Sequence, residues 1–175
     1  MKIIETKVYE FAELNDKAKE KAREWYRHGR TEYSWAEDAL SSIKALAVHC
    51  GGKMSDWEID WFASSYSSAS FSMPEMEAGE IESRMADLGS FDAKTLRGNG
   101  DCKLTGYCAD EDAIDGFRKA WHAGERNLEK LMDAAFDSWL KAAQADCNFQ
   151  NADEQVDESI TANEYTFTES GKRFG

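Results

Sequence analysis

The sequence predicts an α+β fold, a small antiparallel sheet packed with about four to six helices. Three observations lead there. Apolar residues recur at helical spacing behind good caps in the first third and again from about residue 110 to 160, and short alternating stretches stand between them and at both ends. The chain is 175 residues with a single proline and no repeat or linker, which predicts one domain over residues 1–175. With 42% apolar residues and six Trp it has material for a core.

Lys2 to Phe11 mixes β-branched, aromatic and charged residues and reads as a strand with one buried face. Asn15 is an N-cap, Ala18, Ala22 and Trp25 share a helical stripe, and Gly29 offers a stop. Ser34 and Glu37 form a capping-box pair, and Trp35, Ala39, Ile43, Leu46 and Cys50 trace a stripe that Gly51-Gly52 ends. "WEIDWF" and "SASFSM" flank the polar "ASSYSS" and predict two antiparallel strands between Trp57 and Met73. A short acidic helix is expected over Glu75–Leu88 after Pro74, then a turn at "RGNGD" and a strand at "CKLTGYC". Ile114, Phe117 and Trp121 predict a helix from Asp110 to His122. Leu128, Met132, Ala135, Trp139 and Ala143 predict a longer one reaching about Asp146. Asn151 and Glu154 pair as a cap for a short helix anchored by Val156 and Ile160, and Tyr165 and Phe167 alternate as in a terminal strand. Trp25, Trp35, Trp121 and Trp139 are expected in the core, while the pattern leaves Trp57, Trp61 and Tyr66 open between core and surface.

Charge is the most distinctive property. The net charge is −13, yet residues 1–50 hold nine Lys/Arg and nine Asp/Glu, so residues 51–175, with 12 basic and 25 acidic side chains, carry all of it. Gln144 to Ser170 holds seven acids and no Lys or Arg. Phosphate backbones are bound by neutralising cations, so this balance argues against direct nucleic-acid or anionic-membrane binding and for a basic partner. The bland counterpart is that acidic charge merely keeps a soluble protein dispersed.

"CADEDAIDGF" concentrates the acids. Asp110, Glu111 and Asp112 fall in the first turn of a helix, where carboxylates meet unpaired amides and the positive dipole end, which accounts for one or two of them. An EF-hand reading fails: with Asp110 first, Asp115 stands where Gly is required and Trp121 where the bidentate Glu belongs. A catalytic carboxylate pair needs one desolvated member, and this cluster has no apolar shell before Ala113. Cys50, Cys102, Cys108 and Cys147 form no CxxC pair and the three His are scattered, so no zinc site is expected. Gly98 and Gly100 lack the third Gly of a dinucleotide fingerprint, because Lys103 stands there. No cofactor is expected. With no secretory signal and no apolar run of membrane-spanning length, the expected location is the cytoplasm, with reduced thiols.

"VYEFAELNDKAKEKAREWYRHG" and "DESITANEYTFTESGKRF" resemble the opening and the tail of a set of small acidic phage and prophage proteins, some labelled antitoxins of plasmid-stability systems. "CKLTGYCADEDAIDGF" extends the likeness, whereas "WFASSYSSASFSM" departs from the Gly/Asp-rich aromatic segment of those proteins. The resemblance implies a phage-related, non-enzymatic protein acting in the host cytoplasm.

Two functional classes follow. The first is an inhibitor of a host defence system, of anti-CRISPR or anti-restriction type, that mimics nucleic acid and occupies a basic groove on a host protein or nucleoprotein complex. Its contact residues are Asp110, Glu111, Asp112 and Asp115 in one cluster and Asp153, Glu154, Asp157 and Glu158 in another. The second is an antitoxin-like protein that masks a toxin. A third reading, a small hydrolase using Asp101, Asp110 and Asp112 on a divalent metal, is tested by metal-dependent turnover.

Overall fold

A computed structural model of the chain describes residues 6–30, 35–61, 67–88, 104–106 and 109–175. Among these lie six helices and two two-stranded antiparallel sheets, an α+β fold. The elements in chain order are β1 (Tyr9–Glu10), α1 (Asp16–Arg30), α2 (Trp35–His49), β2 (Lys53–Glu58), β3 (Ser68–Ser72), α3 (Ala78–Ala86), α4 (Ala109–His122), α5 (Leu128–Asn151), α6 (Asp153–Ala162) and β4 (Thr166–Phe167). The chain divides into two compact units, one of residues 1–33 with 148–175 and one of residues 34–147.

In the terminal unit the Asn15 side chain caps α1, its Oδ1 accepting from the Ala18 amide at 3.0 Å. The helix continues through Gly29 to Arg30, one residue past the expected stop. Ala18 and Ala22 are buried with Phe11, Leu14, Val156, Ile160 and Phe167, so small residues on α1 admit the apolar face of α6 and the ring of Phe167. Trp25 is half-buried and not a full core residue. Its ring meets Tyr165 edge-on at 5.3 Å and Phe167 at 5.8 Å, and Arg173 lies over both Trp25 and Tyr165. The expected strand over Lys2–Phe11 shrinks to β1, which pairs with β4 through Tyr9↔Phe167 and Glu10↔Thr166; residues 1–5 lie outside the described ones. Ala152, rather than Asn151, is the N-cap of α6, because α5 runs on to Asn151.

In the unit of residues 34–147, α2 follows the expected stripe: Ala39, Ile43, Leu46 and Cys50 are buried. Ser34 and the side chain of Trp35 lie outside the described residues. Phe117 and Trp121 of α4 and Leu131, Met132, Ala135 and Trp139 of α5 complete the core. Trp139 is fully buried, its Nε1 donating to the Ala39 carbonyl at 2.9 Å. A Cβ on Gly116 would stand 2.4 Å from the Ala134 carbonyl oxygen and 2.9 Å from Ala135 Cα, so α4 and α5 cross with backbones in contact where only glycine fits. Burial pushes the Cys50 thiol up to about 11, against the pull of Arg84.

The antiparallel hairpin exists, but its first strand is β2, Lys53–Glu58, and not "WEIDWF". Met54 opposite Phe71 sets the core register, and Ile59 to Trp61 leave the ladder. The Asp60 amide donates to the Ser67 hydroxyl oxygen at 2.9 Å, and the Asp60 carbonyl accepts from the Gln144 side chain at 2.7 Å. Trp57 is 44% exposed beneath the Lys44 ammonium, whereas the half-buried Trp61 meets Trp139 edge-on; Tyr66 lies outside the described residues. The expected strand at "CKLTGYC" is not formed at Leu104–Gly106, which make a bend; its other residues, and "RGNGD", lie outside the described ones.

Candidate interaction surface

The charge asymmetry seen in the sequence follows the two units. Residues 34–147 hold 11 Lys/Arg against 21 Asp/Glu, net −10, and the terminal unit holds 10 against 13, net −3. Where each carboxylate points decides which of them are available to a partner.

Asp110 is a correction to the expected surface cluster. It is fully buried, and its carboxylate gathers the preceding loop: Oδ2 accepts from the amides of Leu104 (3.0 Å), Thr105 (2.8 Å) and Gly106 (3.2 Å), and Oδ1 from the Thr105 hydroxyl (2.8 Å). Burial pushes this carboxyl up, but hydrogen bonds from Ser42, Thr105 and Leu104 outweigh it and hold it below its ordinary value. Asp110 therefore stabilises the folded state above the ordinary aspartate range, and that contribution is lost as pH falls through the lowered folded value. Asp110→Ala is expected to cost about 2 kcal/mol at neutral pH, since the amides lose a charged acceptor. The gap from the parent protein narrows in acid; denaturant melts at neutral pH and at successively lower pH measure it, and a gap independent of pH would refute the assignment.

The other acids of the cluster face outward. Glu111 is exposed, and Asp112 and Asp115 are half-exposed, Asp115 lying 4.0 Å from Lys119. Burial raises the Asp112 carboxyl, and the negative charges of Asp115 and Glu111 raise it further, with Lys119 opposing. A second row was missed in the sequence: Glu129, Asp133 and Asp137 follow one another at every fourth residue on the exposed side of α5, opposite its apolar stripe. Burial raises the Asp133 carboxyl, and Asp137 and Glu129 add to it. The spacing of four was the legible signal.

The α6 cluster is different again. Asp157 takes a two-pronged ion pair from Arg23, Nε to Oδ1 and Nη2 to Oδ2, both at 2.7 Å. Asp153 pairs with Arg27 and with Arg23 at 3.2 Å, Glu20 joins both arginines, and Arg27 Nε donates to the Asn151 carbonyl. The bond to Asp157 raises the Arg23 guanidinium above its ordinary value, against a smaller opposing effect of burial. These two aspartates thus fasten α6 to α1, which corrects the expectation of free outward charge; Glu154 and Glu158 remain exposed.

Among the described residues no group of three or more His, Cys, Asp or Glu is gathered as a metal-binding set, and Asp101 lies outside them. No described helix is long and apolar enough to cross a membrane. An α+β protein with two rows of surface carboxylates on crossing helices, only Asp115 of them in an ion pair among the described residues, is the class that fold and surface define. No protein-family model matches the chain, and no curated protein or solved structure matches it significantly.

Proposed function

We propose that the chain is a non-enzymatic inhibitor that occupies a basic, nucleic-acid-binding surface of a host defence protein or nucleoprotein complex, presenting carboxylates where that surface expects phosphates. The charges that carry the reading are Glu111, Asp112 and Asp115 on α4 and Glu129, Asp133 and Asp137 on α5, in place of the clusters expected from the sequence. The single supporting observation is the row of Glu129, Asp133 and Asp137, exposed at every fourth residue of α5, beside which burial and neighbouring acids raise the Asp133 carboxyl, as they raise that of Asp112 on α4.

The sign of that effect matters. A carboxyl whose folded pKa is raised costs the fold stability above that pKa, and the cost disappears as pH falls through it. Opposite-charge steering by these rows speeds the encounter with a cationic surface and makes it salt-sensitive. Successive carboxylates four residues apart rise about 6 Å along a helix, so they present like charge at a regular interval, as a phosphate strand does.

The test is competition. Duplex DNA bound to a defence nuclease is challenged with the parent protein and with the triple variant Glu111→Lys, Asp133→Lys and Asp137→Lys. The parent is expected to displace DNA at low salt, and the variant to be at least about tenfold weaker with unchanged helical content. Equal displacement by both proteins would sink the reading.

A further inference from the structure

β2 and β3 form a two-stranded sheet, so each turns one edge away from the other. The two edges differ. β2 carries Lys53, Asp56 and Glu58 and is bent by a bulge between Met54 and Asp56, the devices by which edge strands avoid pairing with another chain. β3, Ser68–Ser72, has no charge and no proline. The Ser55 hydroxyl donates to the Ser70 carbonyl at 3.0 Å, so that carbonyl faces β2, and by the alternation of a strand the amides and carbonyls of Ala69 and Phe71 face away from it. Among the described residues no strand pairs with that side. Ser68, Ser70 and Ser72 are exposed, while Ala69 and Phe71 are half-buried against the core.

We propose that the outer edge of β3 pairs antiparallel with the same edge of a second copy of this chain, about a two-fold axis at Ser70, joining the two hairpins into one continuous sheet. The cross-strand rows select that occupant. Ala69 meets Phe71 of the other copy, small against large, and the two exchange their outward amides and carbonyls. With the partners these residues already have in β2, that row runs Trp57, Ala69, Phe71, Met54 and is apolar throughout. Ser68 meets Ser72 of the other copy, and their row ends in Glu58 of one copy and Lys53 of the other, which are opposite charges. Ser70 meets Ser70, and the Asp56 carboxylates at the ends of that row stand about 14 Å apart, beyond the ~8 Å screening length at physiological salt. A charged segment of another protein would find no charge on β3 to answer its own. The pairing is independent of the acidic rows on α4 and α5, and salt acts on it in the opposite sense. Two copies of net charge −13 repel, so screening favours the dimer while it weakens contact with a cationic surface.

Sedimentation equilibrium of the whole protein measures the association. The parent is expected to pass from monomer to dimer as its concentration rises, and to do so more readily at high salt than at low. Ser70→Lys sets two ammonium groups face to face at the axis, with Asp56 of its own hairpin beside each, and is expected to weaken the dimer roughly fivefold or more. Ser70→Glu is expected to weaken it as well. An equimolar mixture of the two variants then regains the dimer, because lysine now faces glutamate across the axis, and a loss caused by misfolding would show no such rescue. A parent that stays monomeric up to about 1 mM, a dimer that survives Ser70→Lys or is favoured by low salt, or a mixture that associates no better than either variant alone would overturn the pairing.

Discussion

Trp139→Ala is expected to cost roughly 3–5 kcal/mol, the range for removing a buried large aromatic. The side chain is fully buried, its ring stacks on Phe136 at a centroid distance of 5.7 Å, and Trp61 meets it edge-on at 6.2 Å. Truncation forfeits these contacts, opens a cavity between α2 and α5, and leaves the Ala39 carbonyl without its indole donor. A stability of about 5–15 kcal/mol is usual for a whole domain, so this one change consumes a large part of it. Denaturant melts of parent and variant measure the difference. Trp139→Phe is the control, because it fills most of the space while still losing the indole donor, and it is expected to recover more than half of the loss. A cooperative melt at the parent's midpoint in Trp139→Ala would refute this packing.

That prediction was available from sequence because Leu128, Met132, Ala135, Trp139 and Ala143 repeat at helical spacing, and all five are buried. The helices were legible for this reason: each carries a continuous apolar stripe, and local signals such as the Asn15 cap mark where one begins. The strands were less so. β1 and β4 are two residues each and owe their pairing to contacts across the whole length of the chain, which no local pattern records. β2 began four residues early because the Met54–Phe71 partnership, and not the density of aromatics in "WEIDWF", decides the register.

The candidate site divided in the same way. Composition located the charge surplus, and helical spacing placed Asp112 and Asp115 on a surface turn. Composition cannot say which acids are already used. Asp110 looks like its neighbours in the sequence, yet it alone is close enough to the Leu104–Gly106 bend to collect its amides. Asp153 and Asp157 needed knowledge that Arg23 and Arg27, more than a hundred positions away, lie against α6. Glu129, Asp133 and Asp137 were overlooked because the apolar stripe of the same helix drew the reading to its buried face.

Gly171→Ala is expected to cost about 2–5 kcal/mol in the terminal unit, from two sources that can be separated. The residue adopts φ +81°, and a left-handed backbone costs a side chain roughly 1–2 kcal/mol. A Cβ there would also stand 2.1 Å from the Ala18 carbonyl oxygen and 2.8 Å from its carbon, and this is backbone of α1 that cannot rotate away. Overpacking of that kind adds roughly 1–3 kcal/mol. The turn would be forced off α1, loosening the hydrogen bond from the Thr168 amide to the Lys172 carbonyl and the seating of Phe167 among Phe11, Trp25 and Ile160. Gly124 supplies the control: it has φ +100° with nothing within 4 Å of the added carbon, so Gly124→Ala isolates the conformational cost. Hydrogen exchange at the buried Val156 and Ile160 is expected to accelerate in Gly171→Ala and to stay unchanged in Gly124→Ala. If the two variants lose the same stability, contact with Ala18 is not what demands a glycine at this turn.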